Sequence, residues 1–173
     1  MTEQRRILGI DPGSRLTGFG VLDFDGDRVT YVASGSIASI NGEFADRLKL
    51  IFQSVSEIVA EYRPGVVAIE SVFVSKNAGS ALKLGHARSA AICATFDHNV
   101  EIFEYAPREI KKAVVGSGGA SKEQVQHMVV AMLNLQGTPA PDAADALATA
   151  LCHGHRCGLA DRMAGGTARV GRR

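Results

Sequence analysis

Four acidic residues have the types and spacings that could do chemistry. Asp11 closes the apolar run ILGID, and Glu70 closes VVAIE. Each sits where an apolar strand leaves the core, and burying an uncompensated carboxylate costs several kcal/mol or more. Asp142 and Asp145 stand three apart in PDAADAL. On a helix that spacing shares a face, with Cβ atoms roughly 5–6 Å apart. Singly, each acid has an ordinary explanation, such as the preference of carboxylates for a helix's first turn. Converging, the four would repel until some were protonated or neutralised. Mg²⁺ suits that task, because it takes oxygen ligands and keeps positions for water and substrate oxygens. Two such ions about 4 Å apart support in-line phosphoryl displacement by activating water and stabilising the leaving oxygen.

The elements around these acids follow from periodicity. Ile7, Leu8 and Ile10 mark a buried first strand. Leu16 to Phe24 and Arg28 to Ile37 read as a hairpin joined by the Asp-Gly turn in DFDGD. The acids of that turn lack the later Glu of a calcium loop. Phe44, Leu48, Ile51, Val55, Ile58 and Tyr62 fall on one face of a long helix, ended by Pro64-Gly65. GVVAIE, residues 65–70, suits a buried parallel strand. An Ala- and Gly-rich helix runs from about Asn77 to Asp97, its small residues suited to core packing or a dimer interface. VEIFEY alternates like a strand near an edge. Ser121 and Gln124 have capping-box spacing before the stripe Val125, Met128, Val129, Met132 and Leu133. A last helix starts near Pro141, with Ala144, Leu147, Ala148 and Leu151 inward. This order predicts an α/β fold: a five-stranded mixed sheet, an antiparallel hairpin edge plus parallel strands, flanked by helices. Its first strand lies centrally beside the strand ending at Glu70. That places both acids at the carboxyl edge, where open α/β sheets bind ligands.

Other residues suit a nucleic-acid strand. Phe73, beside Glu70, either wedges against an unpaired base or joins the core. Ser75, Lys76 and Asn77 lie where a loop enters a helix, a place that holds phosphate. Lys83 and Arg88 extend that surface or lie on a solvated helix face. Arg108, Lys111, Lys112 and Lys122 surround GSGG, whose glycines permit close approach to a sugar-phosphate chain. GSGG is not a Walker A loop, since the Gly-Lys-Ser/Thr ending is missing. His86 and His127 read as packed or surface histidines.

The ordered segments GIDPGSRLTGFGV, AIESVFVSKN, SALKLGHAR, VVGSGGASKEQVQHMV and PDAADALATA resemble the RuvC family of bacterial Holliday junction resolvases, RNase H-like nucleases. The likeness runs to about residue 155. It implies an RNase H-like domain over residues 1–158, while residues 159–173, outside the likeness and without an apolar period at their end, read as a flexible basic tail. It also implies a homodimer making paired nicks in four-way junction DNA, dependent on Mg²⁺ or Mn²⁺. Work alongside the RuvA–RuvB branch-migration complex and a role in recombination and repair go with it. By motif position Asp11, Glu70, Asp142 and Asp145 match the family's catalytic metal ligands, with two ions per site. The resemblance singles out Lys111 and Lys122 as catalytic cations near the scissile phosphate. It favours base stacking for Phe73.

Composition sets outer limits. The chain has 173 residues, is 46% hydrophobic and carries a net charge of +1. One domain with one core is expected. No apolar run reaches transmembrane length, and MTEQRRILGI lacks a signal peptide's apolar region, so a cytoplasmic location is expected. From residue 161 onward four arginines face one aspartate, leaving a slightly acidic body. The three cysteines make no disulfide framework. CHGHRC, residues 152–157, would bind zinc only if its side chains converged; a helix end stopped by Gly154 is the simpler reading. Two further functions fit some residues. GIDPGSRLTG also resembles the phosphate loop of sugar-kinase and heat-shock ATPases, which need a second domain. A non-catalytic junction binder would keep the scaffold without cutting DNA.

Overall fold

A computed structural model describes residues 5–72 and 77–167, with 159–167 as helical backbone. Strands β1 (Arg5–Asp11), β2 (Leu16–Asp25) and β3 (Arg28–Ala38) form an antiparallel meander. Its tight turn holds Gly26 at φ 59°, a left-handed conformation that suits glycine. Helix α1 (Phe44–Tyr62), β4 (Val66–Glu70), α2 (Ala78–Cys93) and β5 (Glu101–Tyr105) follow. Then come α3 (Pro107–Val115), α4 (Lys122–Leu133) and α5 (Pro141–Thr167). The five strands lie in the order β3-β2-β1-β4-β5. β4 is parallel to β1 and to β5, so β1 is central and β5 an edge. The mixed, helix-flanked sheet is the expected one.

Side-chain alternation sorts the core into two layers. Leu8, Ile10, Val67 and Ile69 point to α1 and α2, meeting Ile51, Val55, Val59, Ala87 and Ala91. Ile7, Ala68 and Tyr105 point the other way, to α3, α4 and α5. Leu147 and Leu151 of α5 are fully buried there, each worth about 1.5–3 kcal/mol. Parity then places Asp11 and Glu70, in step with Ile7 and Ala68, on the α5 face.

Helix α5 lies unusually near the sheet because β1 and β2 offer glycines beneath it. A Cβ at Gly9 would meet the carbonyl of Ala146, and one at Gly18 the carbonyl of Asp142. Gly9 pairs with Gly20 across the strands and Gly18 with Asp11, so the bare patch runs to the acidic end.

Several boundaries differ from the sequence reading. α1 ends on Arg63, itself at φ 48°, before Pro64-Gly65. α2 stops at Cys93, and residues 94–97 form a turn. α3 occupies the basic stretch before GSGG, to which the periodicity assigned no element. α5 continues through Gly154 to Thr167, so Gly154 is no stop and residues 159–167 are helical backbone. A Cβ at Gly154 would collide with the Phe24 ring, so this glycine serves packing. Ser121 and Gln124 form the expected capping box on α4.

Candidate active site

Asp11 ends β1 and Glu70 ends β4. The last registered pair between these parallel strands is Ile10–Ile69. The next rung sets the two acids side by side, near enough to share a proton. Asp145, in the second turn of α5, faces them across a cleft of about 400 Å³. Lys111 of α3 and Lys122 of α4 line the same cleft, and Lys122 Nζ donates to Asp145 Oδ2 at 3.1 Å. Gly116, at φ 83°, ends α3 and begins the bend that returns the chain to α4 and Lys122.

The electrostatics are those of crowded carboxylates. Burial first, then the charges of Glu70 and Asp145, push the Asp11 carboxyl up to about 8. Glu70 is also raised, chiefly by burial; contact with Asp11 and the charges of Lys122 and Lys111 oppose this. Lys122 is raised by its bond to Asp145. A shared proton and an ammonium thus offset negative charge here. Among the described residues, no three His, Cys, Asp or Glu side chains already form a metal cage. The donors nonetheless fit a hard divalent cation in kind, since all are carboxylate oxygens that favour a neutralising charge.

The RuvC crossover junction endodeoxyribonuclease family model matches residues 7–153. The chain belongs to the RuvC family. A RuvC of Alkalilimnicola ehrlichii is 51% identical over 158 residues, covering 91% of this chain and 96% of that one. A Cronobacter sakazakii RuvC is 55% identical over 149 residues, covering 86% of each. The solved structure of Thermus thermophilus RuvC with a Holliday junction substrate superposes at TM-score 0.84. It is 32% identical and covers 90% of this chain and 96% of that one. A yeast mitochondrial Holliday junction resolvase, 12% identical, shares the fold at TM-score 0.67. The fold is RNase H-like. As a RuvC-family member, the chain is a crossover junction endodeoxyribonuclease, a metal-dependent nuclease of DNA recombination and repair.

Within this RuvC-type site the other expected residues are spread unevenly. Asp142 is half-buried in the first turn of α5, its backbone against Gly18, and does not line the cleft. Asn77 caps α2, accepting from the Ser80 N–H at 3.1 Å. Lys83, Arg108 and Lys112 are exposed. Arg88 departs from the expected surface role. Its side chain is 18% exposed and its Nη2 lies 2.6 Å from Glu104 Oε1 on β5, so it braces α2 against the sheet. Phe73, Ser75 and Lys76 lie outside the described residues. Leu84, Ile110 and Val125 form the apolar wall of the cleft. Sequence reading missed them as site residues because they carry the same signal as core.

The CHGHRC stretch takes a different form from either earlier reading. His153 is buried, hydrogen-bonded through Nδ1 to Tyr105 Oη at 2.7 Å and through Nε2 to Cys157 Sγ at 3.3 Å. Burial holds this imidazole down to about 4, so it stays neutral. Arg156 reaches Glu109 at 2.8 Å and covers the Tyr105 ring. These contacts fasten the middle of α5 to β5 and α3. No helix among the described residues is long and apolar enough to cross a membrane.

Proposed function

We propose that this chain resolves four-way DNA junctions by paired symmetric nicks, with one acidic cleft per subunit of a two-fold homodimer. The observation that carries this reading is the meeting of Asp11, Glu70 and Asp145 with Lys111 and Lys122 in one cleft at the carboxyl edge of the sheet. Asp11, Glu70, Asp142 and Asp145 would hold two Mg²⁺ ions, with Mn²⁺ able to substitute. Bound there, the ions would neutralise the carboxylates and supply the Lewis acidity that phosphodiester hydrolysis needs. Asp142, on the first turn of α5 and outside the cleft lining, would complete the set. Lys111 and Lys122 stabilise charge building on the phosphoryl oxygens, and Lys122 leaves Asp145 to do so. The apolar wall of Leu84, Ile110 and Val125 limits water around the reacting phosphate.

Around the cleft, Asn77, Lys83, Arg108 and Lys112 fit a role in guiding the DNA backbone. Of the residues outside the described ones, Phe73 would stack on an unpaired base at the junction centre, and Ser75 and Lys76 would hold phosphate. The exposed face of α2 suits the homodimer: Leu82 is 65% exposed beside Ala78, Gly85 and Ser89. RuvA–RuvB is the proposed partner on DNA.

The test uses synthetic four-way and linear duplexes with and without Mg²⁺. Wild-type protein is expected to cut only the four-way substrate, and only with the metal. Asp11→Asn keeps the shape and removes a ligand charge. It should bind junctions normally while cleavage falls by orders of magnitude. Intact junctions at every concentration of wild-type protein in Mg²⁺ would instead favour a non-catalytic junction binder.

A further inference from the structure

The turn that follows Asp11 is fastened from outside by a residue no catalytic motif contains. Residues 12–15 lead from Asp11 into β2, and three successive carbonyls of this turn are held by side chains or backbone further along the chain. Thr17 Oγ1 donates to the Gly13 carbonyl at 3.0 Å. The Ser39 N–H donates to the Arg15 carbonyl at 2.8 Å. Arg47, in the first turn of α1, donates through Nη2 to the Ser14 carbonyl and through Nε to the Ser39 carbonyl at 2.6 Å. Thr17 and Ser39 are fully buried, so this is an interior latch. Arg47 also lies 5.9 Å over the Phe44 ring, which fixes its side chain at the start of α1.

We propose that Arg47 is a positioning residue for the nuclease reaction: its guanidinium ties the turn after Asp11 to α1 and so sets where the Asp11 carboxylate meets Glu70 and Asp145. The inference rests on the acidic cleft being the nuclease site. Two charge-assisted hydrogen bonds from a planar fork span the Ser14 and Ser39 carbonyls, and no lysine can reproduce both. Without them the Ser39 carbonyl loses the Arg47 donor, the half-buried Ser14 carbonyl keeps only a long 3.5 Å contact from the Ser39 hydroxyl, and the turn relaxes. A misplacement of about 1 Å remote from the chemistry can cost on the order of 100-fold in rate. Arg47 lies on the side of the sheet facing away from α5, so it acts through the turn and not on the phosphate.

The experiment compares Arg47→Met and Arg47→Lys by single-turnover cleavage of a four-way junction in Mg²⁺, with junction Kd measured in Ca²⁺. Arg47→Met should cut about 10- to 100-fold more slowly at saturating enzyme while its Kd stays within about twofold. Arg47→Lys, which keeps a cation able to reach one of the two carbonyls, should recover part of that loss, and it carries the test if the Met variant does not fold. Lys49→Met, an exposed charge loss on α1, should behave as wild type. Wild-type cleavage rates in both Arg47 variants, or a slower rate matched by an equal loss of binding, would overturn the assignment. Asp11→Asn separates the two levels. If it still cuts, the nuclease-site reading itself has failed; if it is inactive while Arg47→Met cuts normally, only the latch has.

Discussion

Asp11 is the residue whose protonation the fold controls most strongly. Its carboxyl moves from the ordinary 3.8 to about 8 in the folded, metal-free protein. Between those values the folded chain binds a proton that the unfolded chain releases, so stability falls as pH rises through the window. His153 opposes this lower down. Its imidazole, held at about 4 against an ordinary 6.5, makes the unfolded chain the better proton binder below pH 6.5, so stability there gains with pH. The Asp11 slope is therefore cleanest from about pH 6.5 to 8. In EDTA, Tm should drop across that interval, and Asp11→Asn should flatten the decline. Mg²⁺ binds the deprotonated cleft, so it should raise Tm more at pH 8 than at pH 6.5. Scanning calorimetry at a few pH values decides the matter; a metal-free Tm that climbs over this range in wild type and variant alike would show that Asp11 is not held protonated.

At the scale of elements, the site depends on how closely α5 can lie on β1 and β2. Gly18→Ala places a Cβ against the Asp142 backbone, which cannot move aside as a flexible side chain would. The first turn of α5 must lift, carrying Asp142 and Asp145 away from Asp11. Overpacking of this kind costs about 1–3 kcal/mol in stability. Cleavage should fall at least tenfold even well below Tm. Gly65→Ala, with no atom within 4 Å of the added Cβ, should be near neutral in both assays. Equal activity of the two variants would mean that the glycine patch does not set the acid geometry. The same contrast shows what the sequence could reveal. The hairpin, α1, β4 and the α4 capping box were legible because each is written locally, in alternation, a helical stripe or a reciprocal cap. The acids at the two strand ends and Asp145 on α5 carried a spacing signal, whereas Asp142, on the same helix, lies outside the cleft lining. α3 was hidden because only Ile110 and Val114 are buried in a stretch otherwise rich in basic residues. Gly154, Arg88 and Arg47 were misread or missed because their partners, Phe24, Glu104 and the Ser14 carbonyl, lie far away along the chain. A backbone carbonyl acceptor leaves no mark on residue type at all.

The whole molecule raises the question of how two cuts are coordinated, since the described residues of one chain bring Asp11, Glu70 and Asp145 together in one cleft. Paired symmetric incision then requires two clefts related by a two-fold axis, which an isologous dimer provides. The α2 side of the chain offers a face for it. Leu82 is 65% exposed and Phe96, in the turn beyond α2, is 67% exposed, with small Gly85 and Ser89 between them in sequence. Leu82, grouped with the small residues Ala78, Gly85 and Ser89, suits a facing helix that approaches closely. Leu82→Arg would set two like charges across the proposed axis and leave the carboxylates themselves in place. Sedimentation should show it as a monomer. On a plasmid extruding a cruciform, wild type should give linear product, because both cuts occur within one bound complex. Leu82→Arg should release nicked circles, because a lone subunit cuts one strand and dissociates before a second arrives. A Leu82→Arg protein that still sediments as a dimer and still linearises the plasmid would move the two-fold interface off α2, and with it the present account of how two distant clefts act on one junction.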